Sequence, residues 1–234
     1  MMRKNIKKPF FCFVKSIVKI FKKRPKFINP ENISQEAAIY ISNHAAASGP
    51  TTYELYMPIN IRLMGAYQMC STLKDRWNYL YRIYFHQKKK VPKWLSSIVA
   101  TIVTPFMIMF YKGMQIIPIY PDSRFRKTIK KAVDALENGI SVLIFPEDSS
   151  NGYYEQLTKF FGGFYILAKE YYKKTGKDIK IINMYYHRKK NIIYVDDAKS
   201  YLKLSNQFEH HNQVADYFLE KTNALFNKIN DIPK

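Results

Sequence analysis

Residues 37–44 read Ala-Ala-Ile-Tyr-Ile-Ser-Asn-His, a largely apolar run that ends in an amide and an imidazole. Residues 141–147 repeat the pattern, because Ser-Val-Leu-Ile is followed there by Phe-Pro-Glu. Apolar runs of this length are typical of strands buried on both faces of a parallel sheet. In open α/β sheets, ligands bind at the carboxyl ends of the strands. The sequence therefore places Asn43, His44 and Glu147 at a candidate active site, with His44 as a general base.

The rest of the chain alternates between predicted strands and helices. Apolar runs predict strands over 37–42, 60–66, 115–120, 141–146, 180–186 and 191–195. Helical periodicity predicts helices over 51–57, 72–85, 94–110, 124–138, 158–174 and 212–228. The alternation favours an α/β fold of three layers, with helices on both faces of a largely parallel sheet. We expect one such domain, over residues 27–234.

A basic amphipathic segment, residues 1–26, precedes this domain. Its apolar side chains recur at intervals of three and four residues, at Phe10, Phe13, Val14, Ile17 and Phe21. Lysines lie away from this stripe, and Pro25 ends the predicted helix. Such a helix is typical of a peripheral membrane anchor, with its lysines toward anionic phospholipid head groups. The alternative is that the stripe packs on the core of the protein itself.

The charge composition indicates an anionic partner. Lysine and arginine total 38 against 18 aspartates and glutamates, which gives a formal net charge of +20. A phospholipid surface, a phosphorylated substrate and nucleic acid would all suit this charge. Binding of single-stranded nucleic acid uses exposed aromatic residues beside basic ones, whereas most tyrosines and phenylalanines here lie in apolar runs. We therefore expect no nucleic-acid partner and rank a nucleic-acid-binding protein as the least favoured alternative.

Residues 94–111 carry no charge and approach the length of a membrane-spanning helix, about 20 residues. Pro105 is expected to kink or end a helix near the middle of this stretch. We therefore expect a buried or interfacial helix rather than a span. The preceding lysines, 88–90, resemble an interfacial anchor.

Metal and cofactor sites have no support in the sequence. The histidines outside the candidate site lack the spacing of metal ligands, at His86, His187, His210 and His211. Glycine-rich phosphate loops and the motifs of serine hydrolases and redox enzymes are also absent. We expect no metal and no bound cofactor.

Four sequence blocks, in order along the chain, resemble those of the glycerolipid acyltransferase superfamily, in particular its 1-acylglycerol-3-phosphate acyltransferases. The blocks are Ile41–His44, Gly113–Ile119 followed by Arg124, Phe145–Asp148 and Ile181–Met184, with Thr158–Phe164 as a further similar segment. They resemble the Asn-His start of the family's catalytic motif, a block with a phosphate-binding arginine, the Phe-Pro-Glu-Gly motif and an apolar strand. The resemblance covers about residues 35–190. Each block alone is weakly specific, but the ordered set is more so.

The resemblance implies transfer of a fatty acyl group to a hydroxyl of a lysophospholipid-like acceptor, at the cytoplasmic face of the cell membrane. Acyl-CoA or acyl-carrier protein would be the co-substrate. His44 would take the proton of the acceptor hydroxyl, and Glu147 would be the second catalytic-site residue. Substrate would be bound by Asn43, Arg124, Lys159 and Ser149, with Arg124 first because arginine binds phosphate in a bidentate manner.

The sequence departs from the family pattern at residue 49, where the family has an aspartate that orients the histidine and this chain has Gly49. In serine proteases the loss of such a carboxylate costs roughly 10⁴ in turnover. Glu54, Glu147 or a backbone carbonyl could orient His44 instead. Alternatively, the chain belongs to a divergent branch that binds lipid without catalysis. The arginine after the third block is also missing, since residues 148–150 read Asp-Ser-Ser.

Overall fold

The computed structural model of the protein describes residues 9–150 and 152–233. The first eight residues of the predicted anchor lie outside this part, as does the side chain of Phe10. Within the described residues eight strands form one sheet. They are β1 (Lys26–Ile28), β2 (Ile39–Ser42), β3 (Ile61–Ala66), β4 (Ile117–Ile119), β5 (Ser141–Ile144), β6 (Lys180–His187), β7 (Ile192–Val195) and β8 (Lys199–Ser200).

The sheet is largely parallel, which confirms the prediction. Its strand order is β1-β7-β6-β2-β5-β3-β4, and β8 pairs with the start of β6 outside this row. The pairs from β6 across to β4 are parallel, whereas β7 and β8 run antiparallel to β6. Strands β2 and β5 are neighbours and run parallel. The loops that follow them, which carry His44 and Glu147, therefore leave the same edge of the sheet.

Helices connect and cover the strands. They are α1 (Pro9–Phe21), α2 (Ser48–Tyr56), α3 (Leu73–Asn78), α4 (Lys93–Met114), α5 (Phe125–Glu137), α6 (Gly163–Thr175), α7 (Tyr201–Gln207) and α8 (His211–Asn230). The helix predicted over 72–85 is in fact α3 followed by a π-helical segment, Tyr79–Lys88. The short elements β1, β8 and α7 were not predicted.

The core consists of two apolar layers, one on each face of the sheet. Alternate residues of a strand point to opposite faces, so Ile39 and Ile41 pack against α5, α6 and α8 while Tyr40 packs against α1, α2 and α4. All three side chains are fully buried, and burial of a large apolar side chain contributes roughly 1.5–3 kcal/mol. The observed layers therefore match the three-layer fold that the sequence predicts.

Helix α4 contains the uncharged stretch and continues past Pro105, so of the two effects expected of this proline, to kink or to end the helix, the second does not occur. Proline cannot donate the usual backbone hydrogen bond. Beside it, the Thr104 hydroxyl donates to the Ala100 carbonyl at 2.6 Å. Among the described residues, no helix has both the length and the apolar character needed to cross a membrane.

Apolar and polar contacts attach helix α1 to the α/β domain. Phe11 is buried against Gly113 of α4, so closely that a Cβ at Gly113 would lie 2.3 Å from the ring. The Lys15 ammonium lies 3.1 Å from a Glu54 carboxylate oxygen on α2. Just after α1, the Lys22 ammonium donates to the Ser48 carbonyl at 2.9 Å.

Three residues of the predicted apolar stripe of α1 face away from the core. Phe13, Ile17 and Phe21 are 64%, 41% and 85% exposed. For these three residues the alternative of packing on the protein's own core is therefore wrong. The boundary that we placed between residues 26 and 27 falls inside β1, so the chain enters the sheet directly after α1.

We expect Phe11→Ala to lower the free energy of unfolding by about 3 kcal/mol, because it leaves a cavity between α1 and α4. Phe21→Ala is the matched control, since this exposed side chain should change stability by no more than about 0.5 kcal/mol. Urea denaturation of both variants measures the difference. Equal, small effects would contradict the docking of α1.

Candidate active site

His44 follows β2, and its imidazole is oriented by the protein backbone. The Nδ1 atom lies 2.7 Å from the carbonyl oxygen of Ala46. A carbonyl oxygen only accepts hydrogen bonds, so Nδ1 carries the proton, and in the neutral ring Nε2 then carries the lone pair. The imidazole therefore presents Nε2 as a proton acceptor, which is the requirement for a general base.

The turn after His44 has an unusual backbone conformation. Ala45 and Ala46 have φ angles of 45° and 55°, in the left-handed region. This region costs a residue with a side chain roughly 1–2 kcal/mol. The two left-handed residues turn the chain back on itself, so that the Ala46 carbonyl reaches the ring two residues earlier.

Hydrogen bonds from neighbouring strands hold this turn. The backbone N–H of His44 donates to Glu147 Oε2 at 3.0 Å, from the loop after β5. The Asn43 side chain donates to the Tyr186 carbonyl at 3.1 Å and accepts from the Tyr186 N–H at 2.8 Å, on β6. Glu147 and Asn43 thus fix the backbone from both sides, which compensates for the strain in the turn.

Burial shifts both titratable groups toward their neutral forms. Desolvation lowers the pKa of His44 to about 4, a shift that the Ala46 carbonyl opposes and Lys88 reinforces. Desolvation raises the pKa of Glu147 to about 7, against the effects of the His44 N–H and Lys88. At neutral pH the imidazole is therefore uncharged and ready to accept a proton.

Gly49 lies against the backbone of His44 and leaves no room for a side chain. A Cβ at this position would lie 2.2 Å from the His44 carbonyl oxygen. Real Cβ atoms do not approach other atoms so closely, and backbone atoms cannot move aside as a flexible side chain can. In this arrangement of the turn, an aspartate at residue 49 does not fit.

We expect Gly49→Asp and Gly49→Ala to lower the free energy of unfolding by at least about 1–3 kcal/mol, because the new Cβ displaces the His44 carbonyl. Gly163→Ala is the control, since a Cβ there meets only the Phe125 ring, at 3.9 Å. Urea denaturation compares the three variants. A Gly49→Asp protein as stable as the wild type would contradict the steric account.

Aromatic rings and one lysine surround the His44 imidazole. The rings of Phe145 and Tyr153 have their centroids 4.8 Å from it, with Tyr153 stacked on the imidazole. The Lys88 ammonium donates to Ser149 Oγ at 2.9 Å and to the Tyr153 hydroxyl at 3.0 Å. Lys88, which we expected in a surface anchor, instead projects into the site from the end of the π-helical segment.

A large apolar cavity of about 530 Å³ opens beside this cluster, and His44, Lys88 and Tyr153 lie in its wall. Most of its other lining comes from β3, the π-helical segment and α4, including Leu63, Met64, Leu80, Phe85, Met107 and Met114. This volume is within the usual range for small-molecule sites, roughly 300–1,000 Å³. The lining suits a long apolar ligand.

A second cavity, of about 300 Å³, has a more polar wall than the first, and we call it the polar cavity. Lys88 and Tyr153 line both cavities, so the two meet at these side chains. Asn43, Ala45 and Ala46 also line the polar cavity. The His44 turn therefore lies between an apolar and a polar compartment.

The structure brings together His44, Asn43, Glu147 and Ser149 but separates the other predicted site residues from them. Arg124 forms hydrogen bonds with the carboxylate of its neighbour Asp122, at 2.7–3.1 Å, and lines neither cavity. Lys159 is exposed and also lines neither cavity.

Glu54 pairs with Lys15, and the Ala46 carbonyl takes the position at His44 Nδ1 that Glu54 or Glu147 could have taken. Of the three alternatives for orienting the imidazole, the structure therefore has the backbone carbonyl. Within the described residues, no three side chains of histidine, cysteine, aspartate or glutamate gather as a metal site.

Two residues of the site were missed in the sequence, Lys88 and Tyr153, and the orienting backbone carbonyl was an open alternative that was not assigned to Ala46. A backbone carbonyl leaves no signal in a sequence. Lys88 stands in a run of three lysines, and Tyr153 is one of 19 tyrosines. Neither is distinguished by residue type, although Tyr153 lies only six residues after Glu147.

Comparison with known proteins bears on the fold. The crystal structure of the 1-acyl-sn-glycerophosphate (LPA) acyltransferase PlsC from Thermotoga maritima is similar over 96% of this chain and 81% of that chain, with a TM-score of 0.54 and 11% sequence identity. No known protein family matches the sequence, and no curated protein is similar to it. At this identity the likeness establishes a shared α/β fold.

Proposed function

We propose that the protein transfers a fatty acyl group from an acyl thioester to a hydroxyl of a lysophospholipid-like, phosphorylated acceptor at a membrane surface. The observation that carries this proposal is the neutral His44 imidazole, held through Nδ1 by Ala46, in the wall of an apolar cavity of about 530 Å³. The fold that the chain shares with an LPA acyltransferase supports it. The thioester would come from acyl-CoA or acyl-carrier protein.

His44 acts as the general base in this proposal. Nε2 takes the proton of the acceptor hydroxyl while that oxygen attacks the thioester carbonyl carbon. The tetrahedral intermediate then collapses, the carbon–sulfur bond breaks, and the imidazolium returns the proton to the departing thiolate. Glu147 is a positioning residue here, because it touches the His44 backbone and lines neither cavity.

A carbonyl stabilises the imidazolium less than a carboxylate does, because it carries only a partial negative charge. Burial lowers the pKa of His44 to about 4 although the hydrogen bond to the Ala46 carbonyl raises it. Proton transfer to Nε2 is correspondingly less favourable. We therefore expect a slower enzyme than one whose histidine is paired with an aspartate.

The apolar cavity would hold the acyl chain. Transfer of each methylene from water to such surroundings contributes roughly 0.8 kcal/mol. The cavity wall contains His44 itself, so an acyl chain inside it keeps its thioester end close to Nε2. This placement supplies the proximity that a bimolecular transfer needs.

We expect purified protein in anionic micelles to transfer labelled acyl groups to lysophospholipids, and His44→Gln to lose roughly 10²–10⁴-fold in kcat, the contribution of a general base. His211→Gln, on the exposed start of α8, is the control with the same chemical change. Protonation of His44 should not lower the rate of the wild type between pH 8 and about 5, since this imidazole stays neutral there. Full activity in His44→Gln would contradict the proposed base.

A second candidate function is a lipid-binding protein of the same fold without catalysis. Gly49 favours it, because this residue removes the carboxylate that the family uses. It predicts that no acyl donor supports transfer although lipid binding persists. A nucleic-acid-binding protein, the least favoured reading, predicts binding of oligonucleotides in place of vesicles.

We also propose that α1 and α4 hold the protein on the cytoplasmic leaflet. Each helix exposes an apolar stripe at helical spacing, Phe13, Ile17 and Ile20 on α1 and Trp94, Ile98 and Ile102 on α4. Contiguous apolar surface of this kind marks interaction sites in many proteins. The two helices pack together through Phe11 and Gly113, and the net charge of +20 favours anionic lipid.

We expect the triple substitution Phe13→Ser, Ile17→Ser and Ile20→Ser to reduce binding to anionic vesicles roughly tenfold or more, because three exposed apolar anchors are lost. Leu202→Ser, an exposed apolar residue on α7, is the control. Flotation with anionic and zwitterionic vesicles measures the binding. Unchanged flotation of the triple variant would remove α1 from the proposed membrane face.

A further inference from the structure

The polar cavity beside the His44 turn carries an excess of positive charge. Three cationic side chains line it, Lys88 and Lys89 from the π-helical segment and its end, and Arg188 from the end of β6. The acidic residue in its wall, Glu155, lies 2.9 Å from Lys189 and is thereby neutralised. The cavity is therefore suited to an anion.

Among the described residues no carboxylate pairs directly with the cations of this cavity, although Lys88 lowers the pKa values of the nearby Glu147 and Asp148 carboxyl groups. Within the described residues, none of Lys88, Lys89 and Arg188 forms a salt bridge. Arg188 also acts on Lys22: burial and this neighbouring charge lower the pKa of the Lys22 ammonium to about 8. Like charges crowded in this way repel one another, and an anion would relieve the repulsion.

The cavity is also adjacent to the proposed base. Its wall includes Ala45 and Ala46, which form the turn that holds the imidazole, and it meets the apolar cavity at Lys88 and Tyr153. A glycerophosphate has its free hydroxyl only a few bonds from its phosphate. In acyl-CoA the long pantetheine arm separates the phosphates from the thioester. A phosphate beside the His44 turn therefore fits the acceptor better than the donor.

Arg124, which the sequence placed first for the phosphate, is less suited to this task. Its guanidinium forms hydrogen bonds with both carboxylate oxygens of Asp122, at 2.7–3.1 Å, and lies over the rings of Tyr67 and Tyr120. Its charge already has an acidic partner, whereas Lys89, which lies over the Tyr84 ring, and Arg188 form no salt bridge within the described residues.

We infer that the polar cavity binds the phosphate of the acceptor, through Lys88, Lys89 and Arg188. The inference rests on the proposed acyl transfer for the identity of the ligand. The proposed phosphate site is therefore not at Arg124, near β4, but on the other side of the His44 turn, at the end of β6. The apolar cavity and the phosphate site then lie on opposite sides of the base.

The test uses the double variant Lys89→Gln and Arg188→Gln, because both side chains are exposed and their loss should not disturb folding. Lys177→Gln is the matched control, an exposed lysine before the opposite end of β6. Arg124→Gln tests the rival site. Each protein is assayed with lysophosphatidic acid and with monoacylglycerol as acceptors, and its binding of glycerol 3-phosphate is titrated by calorimetry.

We expect the double variant to raise the KM for lysophosphatidic acid roughly tenfold with little change in kcat, since binding of the ground state is what it loses. Its KM for monoacylglycerol should stay unchanged, and its affinity for glycerol 3-phosphate should fall by a similar factor. A KM raised by Arg124→Gln and not by the double variant would overturn the inference.

Two further comparisons distinguish a phosphate of the acceptor from one of the acyl donor, and a failure of this inference from a failure of the proposed function. If the double variant raises the KM for acyl-CoA but not for the phosphate-free acyl thioester of N-acetylcysteamine, the cavity serves the donor and the inference is wrong. If the wild type transfers no acyl group, the proposed function fails. The titration then still decides the inference, which survives only if glycerol 3-phosphate binds and the double variant weakens it.

Discussion

The site depends on one hydrogen bond, between His44 Nδ1 and the carbonyl of Ala46, at 2.7 Å. It fixes the tautomer and the direction of the imidazole, and it exists only because Ala45 and Ala46 adopt left-handed conformations. The tight turn that follows brings Gly49 against the His44 carbonyl, where a Cβ would lie at 2.2 Å. Gly49, which stands where the family that the sequence resembles has an aspartate, is thus the residue that leaves room for this backbone turn.

The backbone carbonyl orients the imidazole without supplying the full negative charge of a carboxylate. A carboxylate would orient the ring and stabilise its protonated form, whereas the carbonyl mainly orients it. The turn is supported by Glu147 and Asn43, which bond to backbone groups of His44 and Tyr186. Glu147 and Asn43, which the sequence placed at the active site, therefore hold the backbone in the structure. The compartments on either side of His44 are joined by Lys88 and Tyr153.

Much of the fold follows from the sequence because buried strands leave a strong signal. The runs 37–42 and 141–146 correspond to β2 and β5, and the positions of His44 and Glu147 at one edge follow from parallel pairing. The π-helical segment could not be predicted, since the same residues carry an ordinary helical periodicity. Helix α4 continues past Pro105 to Met114, so one proline does not decide where this helix ends.

The sequence was less informative about the site than about the fold. Residue type alone favoured Arg124 as a phosphate ligand, but the pairing with Asp122, two residues earlier, depends on local geometry. Lys88 looked like part of a surface run, and only the course of the π-helical segment directs it to Tyr153. The group that orients His44 is a backbone carbonyl, which no residue type in the sequence indicates. These features depend on contacts between distant segments or on backbone direction.

The most direct test of this account is the tautomer of His44, measured by ¹⁵N NMR of imidazole-labelled protein at neutral pH. The account predicts a neutral ring with the proton on Nδ1 and the lone pair on Nε2, which becomes protonated only as the pH approaches about 4. A ring protonated on Nε2, or an imidazolium at neutral pH, would show that the Ala46 carbonyl does not hold the imidazole.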